Sequence, residues 1–206
     1  MNILIHPTYF PNLAHFVAIA QAEEVTFEMD DNYQKQTYRN RTYIYGANGK
    51  LQLSIPIIHS QKERQKYRDL KIYNAENWQA IHWKSLETAY RTSPFFEFYE
   101  DDIQPLFTQK ADYLLDFNMS CLNVVLDSLQ LNLNSSKTDI FQKKTEGKTD
   151  FRHLANARKE QVYNFDTYTQ VFGNKHGFIN NLSILDLLFN EGPNALNYLE
   201  AQKLSL

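Results

Sequence analysis

The residues best able to do chemistry gather near the start of the chain. His6 follows the apolar run Asn2-Ile3-Leu4-Ile5, and Asp30-Asp31 follow the alternating run Val25-Thr26-Phe27-Glu28-Met29. If these runs are neighbouring parallel strands, His6, Tyr9, Asp30 and Asp31 emerge together at their carboxyl ends. Open α/β sheets bind ligands there. In that place the imidazole could take a proton from an amine or hydroxyl, with a carboxylate orienting the ring and favouring its protonated form. Two adjacent carboxylates could instead hold a divalent cation together with a phosphate-bearing ligand. The plainer reading is an acidic turn beside a strand-end histidine.

Three further sets carry polar chemistry. Arg39 and Arg41 point to one face if their segment is extended, because side chains alternate there. Two guanidiniums on one face suit a diphosphate or carboxylate, or simply balance Asp30 and Asp31 as surface charges. His82 and Tyr90, eight residues apart, share a helical face near Lys84 and Arg91. They could wall a cleft, with Arg91 gripping an anion, or belong to a solvated face. Ser183 with Asp186 fits a helix start. Asp186 and Asn190 lie one helical turn apart, so a joint ligand contact is possible.

The elements that must position these residues follow from periodicity. Residues 2–5 are too short an apolar run for anything but a buried strand. Pro7 and Pro11 bracket a rigid loop. Leu13, Phe16, Val17 and Ile19-Ala20 recur at helical spacing, and 25–29 alternate like a half-buried strand. A hairpin is expected over 38–57, with strands at 43–45 and 51–55 and the turn Gly46-Ala47-Asn48-Gly49. A polar loop at 59–69 leads to a short strand at 70–73. Helices are expected over 76–92, 99–108 and 111–131. The polar stretch 132–160 reads as a long mobile excursion or lid. A helix beginning at Ser183 and ended by Gly192-Pro193, then a last helix over about 194–204, close the chain. The expected fold class is therefore α/β: a mixed sheet opening with a β-α-β unit and a hairpin, followed by a mainly helical C-terminal half.

A length of 206 residues suggests one domain, or one domain with an appended lobe, and a single domain over 1–206 is expected. The formal net charge of −3 gives no global attraction to nucleic acid or anionic membrane. With one cysteine, Cys121, an intramolecular disulfide is impossible, and its apolar neighbours mark it as an inert core thiol. The histidines do not pair at metal spacing, so no metal site is expected. No signal peptide and no membrane span are expected, and the cytoplasm is the default location. P-loop, Gly-x-Gly-x-x-Gly and Gly-x-Ser-x-Gly patterns are absent.

The residues also carry a resemblance. Pro7-Thr8-Tyr9-Phe10-Pro11 resembles the Pro-x-Tyr-x-Pro core near the start of WbqC-like proteins. Asp30-Asp31 with Tyr33 and Lys35 is similar to that family's acidic block, and Asn40-Arg41 to its Asn-Arg segment. Trp78, His82, Tyr90, Arg91 and Pro94 match its central helix in order, and Leu182 to Asn190 resembles its C-terminal signature. One departure concerns the opening. The family usually has a His-Gln pair before the first proline, where this chain has Ile5-His6.

The family is associated with O-antigen and other surface-polysaccharide gene clusters. The resemblance implies a transferase that moves glycine or another aminoacyl group to a sugar or nucleotide-sugar precursor. On that implication His6, Asp30 or Asp31 would deprotonate the acceptor. Arg41 and Arg91 would hold phosphate or carboxylate, and Tyr9 and Tyr33 would stack on or hydrogen-bond the sugar. Lys35, Asn40, His82, Tyr90, Asp186 and Asn190 complete the expected binding set. Two other readings stand beside it: an ATP-dependent ligase or nucleotidyltransferase on a Rossmann-like scaffold, and a non-catalytic sugar- or protein-binding module. The sequence names no cofactor and no oligomeric state. The partner it suggests is a small-molecule or sugar-nucleotide substrate.

Overall fold

A computed structural model of the chain describes residues 1–59, 64–159 and 161–204. Residues 60–63 of the expected polar loop and residue 160 of the expected excursion lie outside the described residues.

The apolar run forms β1 (Asn2–Ile5), the next periodic segment forms α1 (Leu13–Ala20), and the alternating run forms β2 (Glu24–Phe27). β1 and β2 pair in parallel, Ile3 opposite Val25 and Ile5 opposite Phe27, so both strands end on one edge. α1 is buried on nearly every face, as a helix apolar all round must be. Asn12 caps it by accepting the His15 backbone N–H at 3.1 Å.

The hairpin is β3 (Arg41–Gly46) and β4 (Gly49–Ser54), antiparallel. It stands apart from the parallel sheet as its own two-stranded ribbon, and β5 (Ile57–Ile58) with β6 (Lys71–Ile72) makes another. Helices α2 (Trp78–Tyr90), α3 (Phe96–Ile103), α4 (Pro105–Thr108) and α5 (Leu114–Ser128) follow. α2 packs on β3.

The stretch expected as an excursion supplies both remaining strands of the parallel sheet. β7 (Ser135–Lys137) pairs with β2 and β8 (Thr149–Asp150) pairs with β1, giving the order β7-β2-β1-β8. These strands are short and polar, so they carry no hydrophobic alternation to read. Thr26 and Glu28, the polar positions of the alternating run, are buried with partners from this stretch: Thr26 shares a hydrogen bond with Ser136, and Glu28 accepts from the Thr138 hydroxyl and the Gln142 N–H and pairs with Arg152. Parallel sheets are ordinarily buried on both faces.

α6 (Gly173–His176), α7 (Ile184–Glu191) and α8 (Ala195–Ala201) complete the helical half. The starts of α1 and α7 are stitched together, Leu13 N–H to the Leu182 carbonyl at 3.0 Å and Ile184 N–H to Pro11 at 2.8 Å. Gly192 ends α7 with φ +52°, and a Cβ there would sit 2.5 Å from the Phe95 ring. Both the backbone angle and the contact require glycine. Among the described residues no helix is long and apolar enough to cross a membrane.

Candidate functional site

The chain passes from β1 leftwards to β2 and β7, then returns to the other side of β1 as β8. The strand order therefore reverses between β1 and β8. In open α/β sheets the crevice beyond the carboxyl ends at such a reversal is where ligands bind. A cleft of about 270 Å³ lies there, lined among others by His6, Asp31, Arg39, Phe141, Arg152 and His153.

At its floor three groups converge. The buried Arg39 guanidinium donates from Nη2 to Asp31 Oδ2 at 2.8 Å and to His6 Nε2 at 2.8 Å. His6 Nε2 also lies 3.2 Å from Asp31 Oδ2. Arginine is always a donor, so Nε2 must present its lone pair, and the neutral ring carries its proton on Nδ1. That differs from the expected protonated imidazole. Burial lowers the His6 pKa and Arg39 lowers it further, against the opposing pull of Asp31. His6 reads as a neutral ring held by Arg39, with its Nε2 lone pair already engaged.

Burial acts to raise the Asp31 pKa, but the Arg39 guanidinium and the Asn32 backbone N–H favour the carboxylate and the net shift is downward. Asp30, its sequence neighbour, turns to other partners. It accepts Lys66 Nζ at 2.7 Å, is ion-paired with Arg68, and accepts the Phe141 N–H at 3.3 Å. The Lys66 hydrogen bond is the main reason its pKa is lowered. The two carboxylates thus diverge onto separate cations. Among the described residues no group of three or more His, Cys, Asp or Glu is placed to hold a metal ion.

Two ionisable residues of the cleft, Arg152 and His153, escaped the sequence reading. Arg152, just after β8, forks onto Asp150 (2.9 and 2.6 Å) and reaches the fully buried Glu28 carboxylate at 3.4 Å. His153 lies at the rim with Nδ1 3.3 Å from the Asp150 carbonyl. Donation to that carbonyl leaves Nε2 as the acceptor, the orientation of a base. The only sequence signal was Asp150-Phe151-Arg152-His153 itself, inside a stretch read as mobile.

The remaining expected site residues are dispersed. Tyr9 is fully buried in the core, and its hydroxyl meets His82 Nδ1 at 2.9 Å. His82 is itself buried, which lowers its pKa to about 4. Tyr9→Phe is therefore expected to cost about 1–3 kcal/mol by orphaning that nitrogen, without changing ligand affinity in the cleft. Urea denaturation and a binding titration read the two separately, and an affinity loss at full stability would put Tyr9 in the site. Tyr90 donates to Asp186 at 2.9 Å and accepts the Tyr45 N–H at 3.0 Å. Asp186 also accepts Tyr168 (2.5 Å) and Gln170 (2.8 Å). Asn190 donates to the Asp186 carbonyl at 2.7 Å. This buried network braces α2 against α7 and does not line the cleft. Arg91 is exposed and paired with Glu87 one turn earlier at 2.7 Å.

Tyr33 donates to Asn40 at 3.2 Å, and Asn40 donates to the Ile55 carbonyl at 3.1 Å. Lys35 is exposed. Arg41 faces a second hollow beside the cleft. Cys121 is fully buried, and burial pushes its thiol well above the usual range. It is the inert core thiol its neighbours suggest.

No solved structure matches the chain. An uncharacterised protein of Mycobacterium tuberculosis, Rv1507c, is 28% identical over 225 aligned positions that cover 95% of this chain and 96% of the relative. The profile of the WbqC-like protein family matches residues 6–164 and 148–198, nearly the whole length. The chain belongs to the WbqC-like protein family.

Proposed function

We propose that the protein is a transferase that moves glycine or another aminoacyl group onto a sugar or nucleotide-sugar precursor bound in the β1–β8 cleft, in surface-polysaccharide biosynthesis. The observation that carries a ligand site here is the cleft at the strand reversal, with the His6–Arg39–Asp31 cluster at its floor and His153 at its rim. The choice of reaction rests on the family's association with polysaccharide gene clusters.

In the proposed reaction the acceptor amine or hydroxyl attacks the carbonyl carbon of an activated glycyl donor. A new C–N or C–O bond forms, the donor's leaving group departs with its electron pair, and the acceptor loses a proton. His153 Nε2 takes that proton, a step worth about 10²–10⁴ in rate. Arg39 and Asp31 hold the cleft floor in one geometry, and His6 acts as a positioning group through Arg39.

The test is to incubate the folded protein with amino- and hydroxy-bearing nucleotide sugars and an activated glycyl donor, and to look for the glycylated product by mass spectrometry. Product is expected, with His153→Gln lowering kcat far more than it alters KM. No product from any pair, with no thermal stabilisation by any nucleotide sugar, would overturn the reading.

A further inference from the structure

The ionic groups around the cleft neutralise one another. Arg39 is paired with Asp31, Arg152 with Asp150 and Glu28, and Asp30 with Lys66 and Arg68. An anionic substrate therefore finds little free positive charge on the cleft floor. It is available next door. A hollow of about 330 Å³ is lined by Gln36, Arg41, Ala157 and Arg158. It shares a wall with the cleft, where the chain segments on either side pair: Thr37 bridges Asn156, the Tyr38 N–H donates to the Ala155 carbonyl at 2.8 Å, and the Ala157 N–H donates to Gln36 at 3.1 Å.

Among the described residues neither the Arg41 nor the Arg158 guanidinium has a carboxylate partner. Arg41 Nε, in addition, is shielded from solvent and makes no hydrogen bond. An atom closed to water is closed to a phosphate oxygen as well, so an oxyanion in the hollow would meet the Nη groups of the two guanidiniums instead. Arg41 is also fixed in place. It opens β3 opposite Ser54, and its neighbour Asn40 is tied to Ile55.

We propose that Arg41 and Arg158 form an anion subsite for a phosphate or diphosphate group of the substrate whose reacting end lies in the neighbouring cleft. Two guanidiniums present a charge of +2 and several fork-shaped donor pairs, which match the oxygens of a diphosphate. The idea deepens the transferase reading by naming the anionic handle of its substrate. Binding of the anion itself does not depend on the reaction being glycyl transfer.

The probe is inorganic pyrophosphate, titrated calorimetrically into the full-length protein and into Arg41→Gln, Arg158→Gln and the double variant, with circular dichroism to confirm folding. Wild type should bind. Each single change should weaken binding by about tenfold or more, the double change should abolish it, and added salt should weaken it throughout. No binding to wild type, or equal binding to the folded double variant, overturns the subsite. If pyrophosphate binding tracks both arginines but no glycyl product forms, the subsite stands and the reaction falls. If product forms with the same KM in the double variant, the reaction stands and the subsite falls.

Discussion

Replacing Arg39 by alanine is expected to cost the folded protein about 3–5 kcal/mol, the range for breaking a buried ion pair from one side. Arg39 is 1% exposed and ties together Asp31, His6 and, through its position 5.3 Å over the ring, Tyr67. Its removal leaves the Asp31 carboxylate with a buried neighbourhood and no cation, and leaves His6 Nε2 without a donor. Asn118, which donates to the Arg39 carbonyl at 2.6 Å, keeps its bond because that bond is to backbone. The loss should therefore arise from the guanidinium and not from a local unravelling. A double change, Arg39→Met with Asp31→Leu, removes both charges and should recover much of the stability, because an apolar pair often replaces a buried ionic one at little cost. Urea denaturation of the two variants measures the coupling. A single variant that loses under about 1 kcal/mol, or a double variant no more stable than the single, would show that the cluster does not hold the cleft floor together.

The second large effect is acid sensitivity. Burial holds His15 down to a pKa of about 3 and His82 to about 4, and it lowers His6 as well. An unfolded histidine takes up its proton near pH 6.5, while these rings stay neutral in the fold. As pH falls below about 6.5 the unfolded chain binds more protons than the native one, so stability declines. Asp186 acts in the opposite direction. Burial raises it to about 6 despite its three hydrogen bonds, so the native state takes up a proton between about pH 6 and 4 before the unfolded chain does, and gains stability there. At roughly 1.4 kcal/mol per pKa unit, His15 and His82 together outweigh Asp186, for a net loss of about 4 kcal/mol by pH 4. Below that, the depressed carboxyls of Asp30, Asp31 and Asp150 protonate and the loss continues.

His15→Leu isolates the largest contribution. The ring's Nδ1 meets Asn12 at 2.9 Å and its Nε2 is buried without a partner, while Asn12 still receives the backbone N–H of position 15. The variant should be close to wild type at pH 7 and clearly more stable than wild type at pH 4.5. Denaturation midpoints across that range decide the matter. A flat wild-type profile, or parallel profiles for the two proteins, would mean that these histidines are not held neutral by the fold.

The parts legible in the sequence are those in which a local pattern meets a local cause. The apolar Ile3-Leu4-Ile5, the helical spacing from Leu13 to Ala20 and the alternation from Val25 to Phe27 each state their own structure, and together they put His6 and Asp31 on one edge. The hairpin is announced by its glycines. By contrast, Ser135–Lys137 and Thr149–Asp150 are strands only because β2 and β1 offer them unpaired edges. Nothing in three or two polar residues predicts that, and the misreading of this stretch hid Arg152 and His153.

The chain by itself thus determined its family, its α/β class and the strand edge where the cleft opens, because burial periodicity and turn chemistry act over a few residues. Tertiary structure alone decided which polar groups face that cleft. Tyr9, His82, Tyr90 and Asp186 look as reactive on paper as His6 and Asp31, yet each finds a partner in the core, 18 to 96 residues away. Whether a polar side chain is buried with a partner or left facing a cleft depends on long-range contacts, and no local pattern encodes them.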